Sequence, residues 1–336
     1  MSLNLEDIAK LAGVSRSTVS RVINDRSDVS ESTRKKVMRI IDEHNFRPNL
    51  AARTLVTQRS KVIGTLLPQS PTALSSLYFP NLLEGIGDTT HQRDYATLLW
   101  WGQSGEEEQR FTKRILQKNQ LMEGLIIAAH TLDNSLIQRI FETKIPFVMV
   151  ERPAIFNDQI NYVTVDKVAG AKTPVEHLIN LGRRRIGHIT GILVNVDGMD
   201  RLTGYRNALE RHNLPMDPDL IVEGHFNQKF GYLGMKQLLK QGVDAVFAGN
   251  DDSAVGALQA LREARVRIPA DVALVGFDDV TSALDFAPQL TTIHQPIRQK
   301  GALATALLLD LIEGKVKSPQ HILLPTHLVI RQSCGA

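Results

Sequence analysis

From Lys61 to Ala336, short apolar runs alternate with amphipathic stretches of helical period, and this alternation constrains the fold more than any other feature of the chain. The runs fall at 62–67, 96–100, 125–129 and 147–150, then at 162–165, 186–190, 220–223, 245–248 and 272–276. Helical stretches such as 82–92, 106–117 and 136–143 fill the gaps. Short continuous apolar runs suit strands buried on both faces, and strands separated by helices pair in parallel. The two series predict an α/β region of two doubly wound parallel-sheet subdomains with a cleft between them. The predicted boundaries are about 61–160 with 292–322 for one subdomain, and about 161–291 with 323–336 for the other. Open α/β sheets bind ligands outside the carboxyl ends of their strands. Polar groups cluster there: Glu151-Arg152 after the fourth run, Arg201 beyond the sixth, Asn250-Asp251-Asp252 and Asp278-Asp279 after later ones. Carboxylates accept from several hydroxyls and an arginine donates to others, so this set suits a polyhydroxylated ligand. Phe226 or Phe79 could stack on an apolar ligand face.

The first 46 residues read differently, as three short helices. Asn4 can cap the first, with Asp7 three residues on completing a capping box. Leu5, Ile8, Leu11 and Ala12 have the spacing of one helix face, and Gly13 ends the helix in the left-handed region. The second helix starts at Ser15 and runs through Val19, Val22 and Ile23. The third starts at Ser30, with Val37, Ile40 and Ile41 facing inward. Ala9, Gly13 and Val19 stand at helix-turn-helix spacing: a small residue at the crossing, a glycine in the turn, a valine packing back. Such a second helix offers Arg16 and Ser17, and one turn later Arg21, to base edges in a major groove. An arginine there favours guanine, because its fork matches O6 and N7. Ser15, Thr18, Ser20 and the amides at the helix start could hold phosphates. A plain helical bundle with a solvated basic face is the alternative.

Charge placement agrees with a polyanion partner for this segment. The chain carries a net +3, yet residues 1–60 hold 11 Lys/Arg against 7 Asp/Glu, and the remainder holds 28 against 29. All of the positive excess lies at one end. The single cysteine, Cys334, cannot form an intrachain disulfide. No apolar run is long enough for a membrane helix, and the first residues lack a basic-then-apolar leader, so a cytoplasmic protein is expected.

The text around the helix-turn-helix is far more specific than its three-residue spacing. Residues 6–15 (Glu6 to Ser15), Thr18-Val19-Ser20-Arg21-Val22-Ile23-Asn24 and Val29 to Arg34 closely resemble the signature of the lactose-repressor (LacI/GalR) family. Further matches are Gly182-x3-Ile186-x-His188-Ile189, Arg201-x2-Gly204, Asn250-Asp251-x2-Ala254, Ile268-Pro269-x-Asp271-Val272, Gly276-Phe277-Asp278 and Arg331-x-Ser333. The resemblance covers essentially the whole chain. It implies a DNA-binding headpiece at 1–46, a hinge at 47–60 and an effector-binding, dimerising domain at 61–336 that is similar to periplasmic sugar-binding proteins. It adds Asn24 to the DNA contacts, maps a minor-groove wedge onto Leu55, and puts Arg53 beside phosphates. It gives Arg201, Asp251 and Asp278 as effector contacts, with Asn250 and Phe226 as further candidates.

The chain is therefore read as a homodimeric repressor of a pseudo-palindromic operator, controlled by a small molecule. The expected effector is a sugar or sugar acid; a nucleoside or purine is the alternative within the same architecture. A soluble sugar-binding protein with no DNA role is the rival from another class. An enzyme is not expected: Gly-x-Ser-x-Gly and Gly-x4-Gly-Lys are absent, and no His/Cys cluster has zinc spacing. No cofactor or metal is expected. Trp100-Trp101 departs from the family pattern, with core or dimer packing the first reading and ligand stacking the second. No heptad tail follows Arg331, so a coiled-coil tetramer is not expected.

Overall fold

Asn4, Ser30 and Gly13 each act where the sequence puts them. The computed structural model describes residues 3–23, 26–44, 46, 59–68, 76–101, 121–128, 134–280 and 287–336. Helix α1 (Leu5–Ala12) starts with a complete capping box between Asn4 and Asp7 and ends at Gly13, φ 61°. Helix α2 (Arg16–Ile23) follows, and α3 (Glu31–Glu43) is capped by the Ser30 side chain on the Thr33 amide. Ile8, Ala9, Ala12, Val19, Val22, Val37, Ile40 and Ile41 form one small core. Leu11, placed by helical spacing on the buried face, is instead 49% exposed. Ile8 and Ala12 already fill the narrow stripe that α2 and α3 cover, and Leu11 lies beyond its edge. The Arg53 and Leu55 assignments lie outside the described residues, as do Asn24 and the helix expected over 106–117.

The chain divides into two compact units, Met1–Ser60 and Lys61–Ala336. In the larger unit, strands β1 (Val62–Leu67), β2 (Ala96–Trp101), β3 (Gly124–Ile127), β4 (Phe147–Val150) and β5 (Asn161–Val165) lie in one parallel sheet. A late strand, β11 (His321–Leu324), completes it in the order β11-β5-β4-β3-β1-β2. Strands β6 (Ile186–Thr190), β7 (Ile221–Glu223), β8 (Ala245–Ala248) and β9 (Ala273–Val275) form a second parallel sheet, ordered β7-β6-β8-β9. A short antiparallel pair joins β10 (Thr292–His294) to β12 (His327–Val329).

This topology corrects the predicted subdomain assignment. The run at 162–165 is expected to open the second series, yet β5 pairs with β4 in the first sheet, and Val163 and Val165 sit in that sheet's core. Periodicity identifies a strand but not its neighbours. Likewise β11 pairs in parallel with β5, so the first sheet extends through Leu324. Residues 292–294 were placed with the first subdomain, but β10 pairs with β12 and Ile293 packs in the second core. The chain thus crosses between the sheets at three places: after β5, after β10 and after β11.

Helices cover the sheets. Helix α4 (Tyr78–Gln92) and α10 (Ile297–Ile312) pack on the first sheet, contributing Leu82, Ile86, Ala304 and Leu308 to its core. On the opposite face lies α5 (Asn134–Glu142), with Trp100 packed against the same core, which supports packing over ligand stacking for that side chain. Helices α6 (Lys167–Asn180), α7 (Val196–Arg211), α8 (Gln228–Lys240) and α9 (Asp251–Glu263) flank the second sheet. Helices α4 and α10 approach closely because Gly85 faces the Arg298 carbonyl and Gly301 faces the Leu82 carbonyl. A Cβ at either position would overlap backbone. Gly301→Ala should cost about 3 kcal/mol, at the upper end for overpacking, measured as a lowered urea midpoint for the larger unit.

Candidate functional site

Two groups of side chains remain once the cores are accounted for. On the headpiece, Ser15 caps α2 through its hydroxyl on the Thr18 amide (3.1 Å) and lies 2.7 Å from the Ser17 hydroxyl and 2.8 Å from that of Thr18. Arg16 and Ser17 are exposed on the first turn; Thr18 and Ser20 are half-buried. The first turns of α1 and α3 carry Glu6, Asp7 and Glu31, whereas that of α2 carries no acid. Ser15 caps the Thr18 amide, but no carboxylate in the first turn of α2 compensates its positive dipole end, which stays open to an outside anion. Arg21 pairs loosely with Asp28 at 3.6 Å, both largely exposed, a contact worth at most ~1 kcal/mol that a phosphate or base can displace.

The second group lies between the two sheets of the larger unit. In the second sheet, β6 connects outward to β7 and β8 outward to β9, so the loops after β6 and β8 border a crevice. Arg201 reaches into it from α7. Its Nη1 donates to the Gly249 carbonyl, and its Nη2 lies 3.6 Å from Asp278 Oδ1. The guanidinium carbon lies 4.8 Å from the centre of the Phe226 ring and 4.1 Å from that of Phe277. The structure thus brings Arg201, Asp278 and Phe226 together. Asn250 joins them from below: it caps α9 through Ser253 N (3.0 Å) and donates to the Phe226 carbonyl at 3.2 Å.

Asp251 is wholly buried, and protein donors hold both of its oxygens. The Thr292 hydroxyl donates to Oδ1 at 2.6 Å and the Val280 amide to Oδ2 at 3.1 Å. Burial, with Asp278 nearby, raises its pKa well above the ordinary carboxylate range. Its geometry is that of a brace between α9 and the crossover at β10. Phe79 lies on α4 in the first sheet's layer, edge-on to Tyr78 at 5.1 Å. His188, part of the family text, is a core residue: stacked against Tyr205 and Phe247 and pushed by burial down to about 4.

A buried ionic network that the sequence reading missed links the two sheets. Glu151, just after β4, receives Tyr78 Oη (2.7 Å) and Lys300 Nζ on Oε1, and Thr164 Oγ1 (2.6 Å) and Lys167 Nζ on Oε2. Lys167 also pairs with Asp197 of α7 at 2.8 Å. Lys300 donates to Gln295 Oε1 (2.8 Å), whose amide in turn donates to Asp278. Nearer the surface, Arg152 bridges to Asp200 at 2.8 and 2.9 Å, and Ser76 hydrogen-bonds Asp252. The i, i+4 spacing of Asp197 and Arg201 on α7 was a usable signal for one shared face. Nothing in the text marked Lys167 and Lys300, two lysines buried at helix starts.

Three buried polar atoms at the β6/β8 crevice have no partner among the described residues: Arg201 Nε, Asn195 Nδ2 and Ser253 Oγ. Such groups each cost about 1–3 kcal/mol when unsatisfied, so on the segments that follow β6 and β8 they leave hydrogen-bonding capacity for a polar ligand.

A helix-turn-helix headpiece joined to a paired-sheet ligand domain defines a DNA-binding transcriptional regulator. Residues 4–49 match the model of bacterial regulatory proteins of the lacI family, and 175–334 that of the periplasmic binding protein-like domain. The chain is 37% identical over 333 residues to the HTH-type transcriptional regulator CelR of Thermobifida fusca, covering 98% of this chain and 97% of that protein. It is 33% identical to the HTH-type transcriptional repressor PurR of Yersinia pestis over 98% of this chain and 96% of the other. Among solved structures, a lac repressor dimer bound to operator and the anti-inducer ONPF superposes with a TM-score of 0.88 at 30% identity, covering all of both chains. A CelR–cellobiose complex gives 0.78 at 34% identity, covering 98% and 99%. The chain belongs to the LacI family, which consists of transcriptional regulators and not enzymes. Among the described residues no helix is long and apolar enough to cross a membrane.

Burial lifts the Asp278 carboxyl to about 6, against the opposing pull of Arg201 and the Gln295 hydrogen bond. A raised carboxyl stabilises the folded state fully below its ordinary pKa of 3.8 and loses that contribution as pH rises through 6. Asp278→Asn cannot ionise. Its stability should therefore match wild type near pH 4 and exceed it progressively by pH 7, relative to that match, in urea titrations across the range.

Proposed function

We propose that this regulator is a repressor that binds a pseudo-palindromic operator as a homodimer in the cytoplasm and releases or grips it as a carbohydrate enters the crevice between its two sheets. The observation that carries the effector site is Arg201, buried with its Nε unpartnered and held beside the Asp278 carboxylate and the Phe226 ring; Asn195 Nδ2 and Ser253 Oγ, on the segments that follow β6 and β8, are likewise buried without a partner among the described residues. Hydroxyl groups of a sugar both donate and accept, and so satisfy such a mixed set. The relative solved as a complex with cellobiose supports the same ligand class. In this reading Arg201, Asp278 and Asn250 contact the sugar and Phe226 stacks on it, while Asp251 shapes the site from behind.

For the DNA, Arg16, Ser17 and Arg21 read bases, and Ser15, Thr18 and Ser20 hold phosphates, as the exposure and the acid-free first turn of α2 support. Asn24, Arg53 and the Leu55 wedge rest on the sequence resemblance. The relative solved on operator DNA as a dimer supports the assembly. Effector binding changes the angle between the sheets, with a coupling to DNA affinity of typically ~1–3 kcal/mol.

Fluorescence anisotropy with a pool of palindromic operators, with and without sugars, sugar acids and nucleosides, tests the whole reading. Arg16→Ala should relax preference at one operator position by about 1–3 kcal/mol and leave the effector response intact. Asp278→Ala should bind operator like wild type and no longer respond to the effector. A normal response from Asp278→Ala would remove Asp278 from the site.

A further inference from the structure

We infer that Glu151 is a specificity-determining residue that makes the crevice refuse sugar acids and accept their uncharged counterparts; this rests on the carbohydrate reading above. Lys167, Lys300, Tyr78 and Thr164 converge four donors on one point between the sheets, and the carboxylate they hold belongs to the protein. Both lysines are buried with Glu151 itself, at side-chain exposures of 1%, 0% and 4%. Without Glu151 this would be a ready-made carboxylate site: two ammonium groups and two hydroxyls, desolvated and converging. With it, the remaining ammonium donors turn to Asp197, Thr164 and Gln295.

The backbone supports a placement imposed by the site. Glu151 holds φ at 83°, a region that non-glycine side chains rarely enter and occupy at a cost of about 1–3 kcal/mol. Among the described residues buried here, no cation is left over for a ligand carboxylate. Lys167, Lys300 and Arg201 face Glu151, Asp197 and Asp278, while Asp251 has both oxygens hydrogen-bonded by the protein and Asp252 is hydrogen-bonded by Ser76. A ligand carboxylate entering beside Arg201 would meet the Asp278 carboxylate at the same guanidinium. Two carboxylates sharing one cation in a desolvated site repel strongly, whereas a hydroxyl in that place does not.

Isothermal titration of the full-length protein with two matched pairs, cellobiose against cellobionate and D-glucose against D-glucuronate, tests the inference. In wild type, the neutral member of at least one pair should bind at least tenfold tighter than its acid. In Glu151→Gln the shape is kept and one negative charge is lost, so the acid should gain at least tenfold relative to the sugar. An acid that binds wild type as well as its sugar overturns the proposal, as does an unchanged ratio in Glu151→Gln. Thermal melting reports whether Glu151→Gln folds; if it does not, the wild-type ratio decides alone. If no member of either pair binds a protein that still binds operator, the carbohydrate reading falls and takes this inference with it. That result is distinct from acid binding, which sinks only the role of Glu151.

Discussion

A charge withdrawn from water costs several kcal/mol unless oppositely charged and hydrogen-bonding groups surround it, and this chain withdraws six of them into one small volume. Lys167, Lys300 and Arg201 answer Glu151, Asp197 and Asp278, and the pairs run from the first sheet's layer to the second's. Lys300 and Glu151 pair within the first layer and Arg201 and Asp278 within the second, while Lys167, paired with both Glu151 and Asp197, and Gln295, set between Lys300 and Asp278, join the two. Glu151 and Lys300 come from the first layer, Asp197 and Arg201 from the second, and Lys167 and Gln295 from the segments that cross between them. The relative placement of the two sheets is therefore written into the ion pairs. Any change in that placement must exchange one set of partners for another, which favours discrete arrangements over a continuum.

The headpiece was nearly legible in full. Its signals are local: a capping box, a left-handed glycine and a heptad-scale apolar stripe each act within a few residues. Strand positions were legible for the same reason, and β1, β4, β6 and β8 fall on the apolar runs. Partnership was not. Nothing within residues 161–165 says whether those backbone groups pair with β4 or with a later strand, so β5 was assigned to the wrong sheet. The same holds for β10 and β11, whose partners lie 30 residues or more away in sequence.

The site followed the same division. Asp278 and Arg201 stood in recognisable motifs at strand and helix ends and do meet in space. Asp251 stood in an equally good motif, and only the structure reveals that Thr292 and Val280 occupy its oxygens. Lys167 and Lys300 gave no sequence signal because a buried lysine and a surface lysine look alike in a helical stretch. Their burial depends on carboxylates contributed by distant segments.

The chain passes between the two layers three times, and these passages lie side by side: β10 and β12 are hydrogen-bonded to one another, and α6, which carries the first passage, packs on both. Arg331 and His294 both fasten to Asp279 beside them, at 2.6 and 3.0 Å. A single tether would let one layer swivel, slide or twist against the other. Three tethers abreast act like the pins of a door hinge: they suppress sliding and torsion and leave one soft rotation. Whatever enters the crevice can thus be reported to the rest of the molecule as a single number, the opening angle.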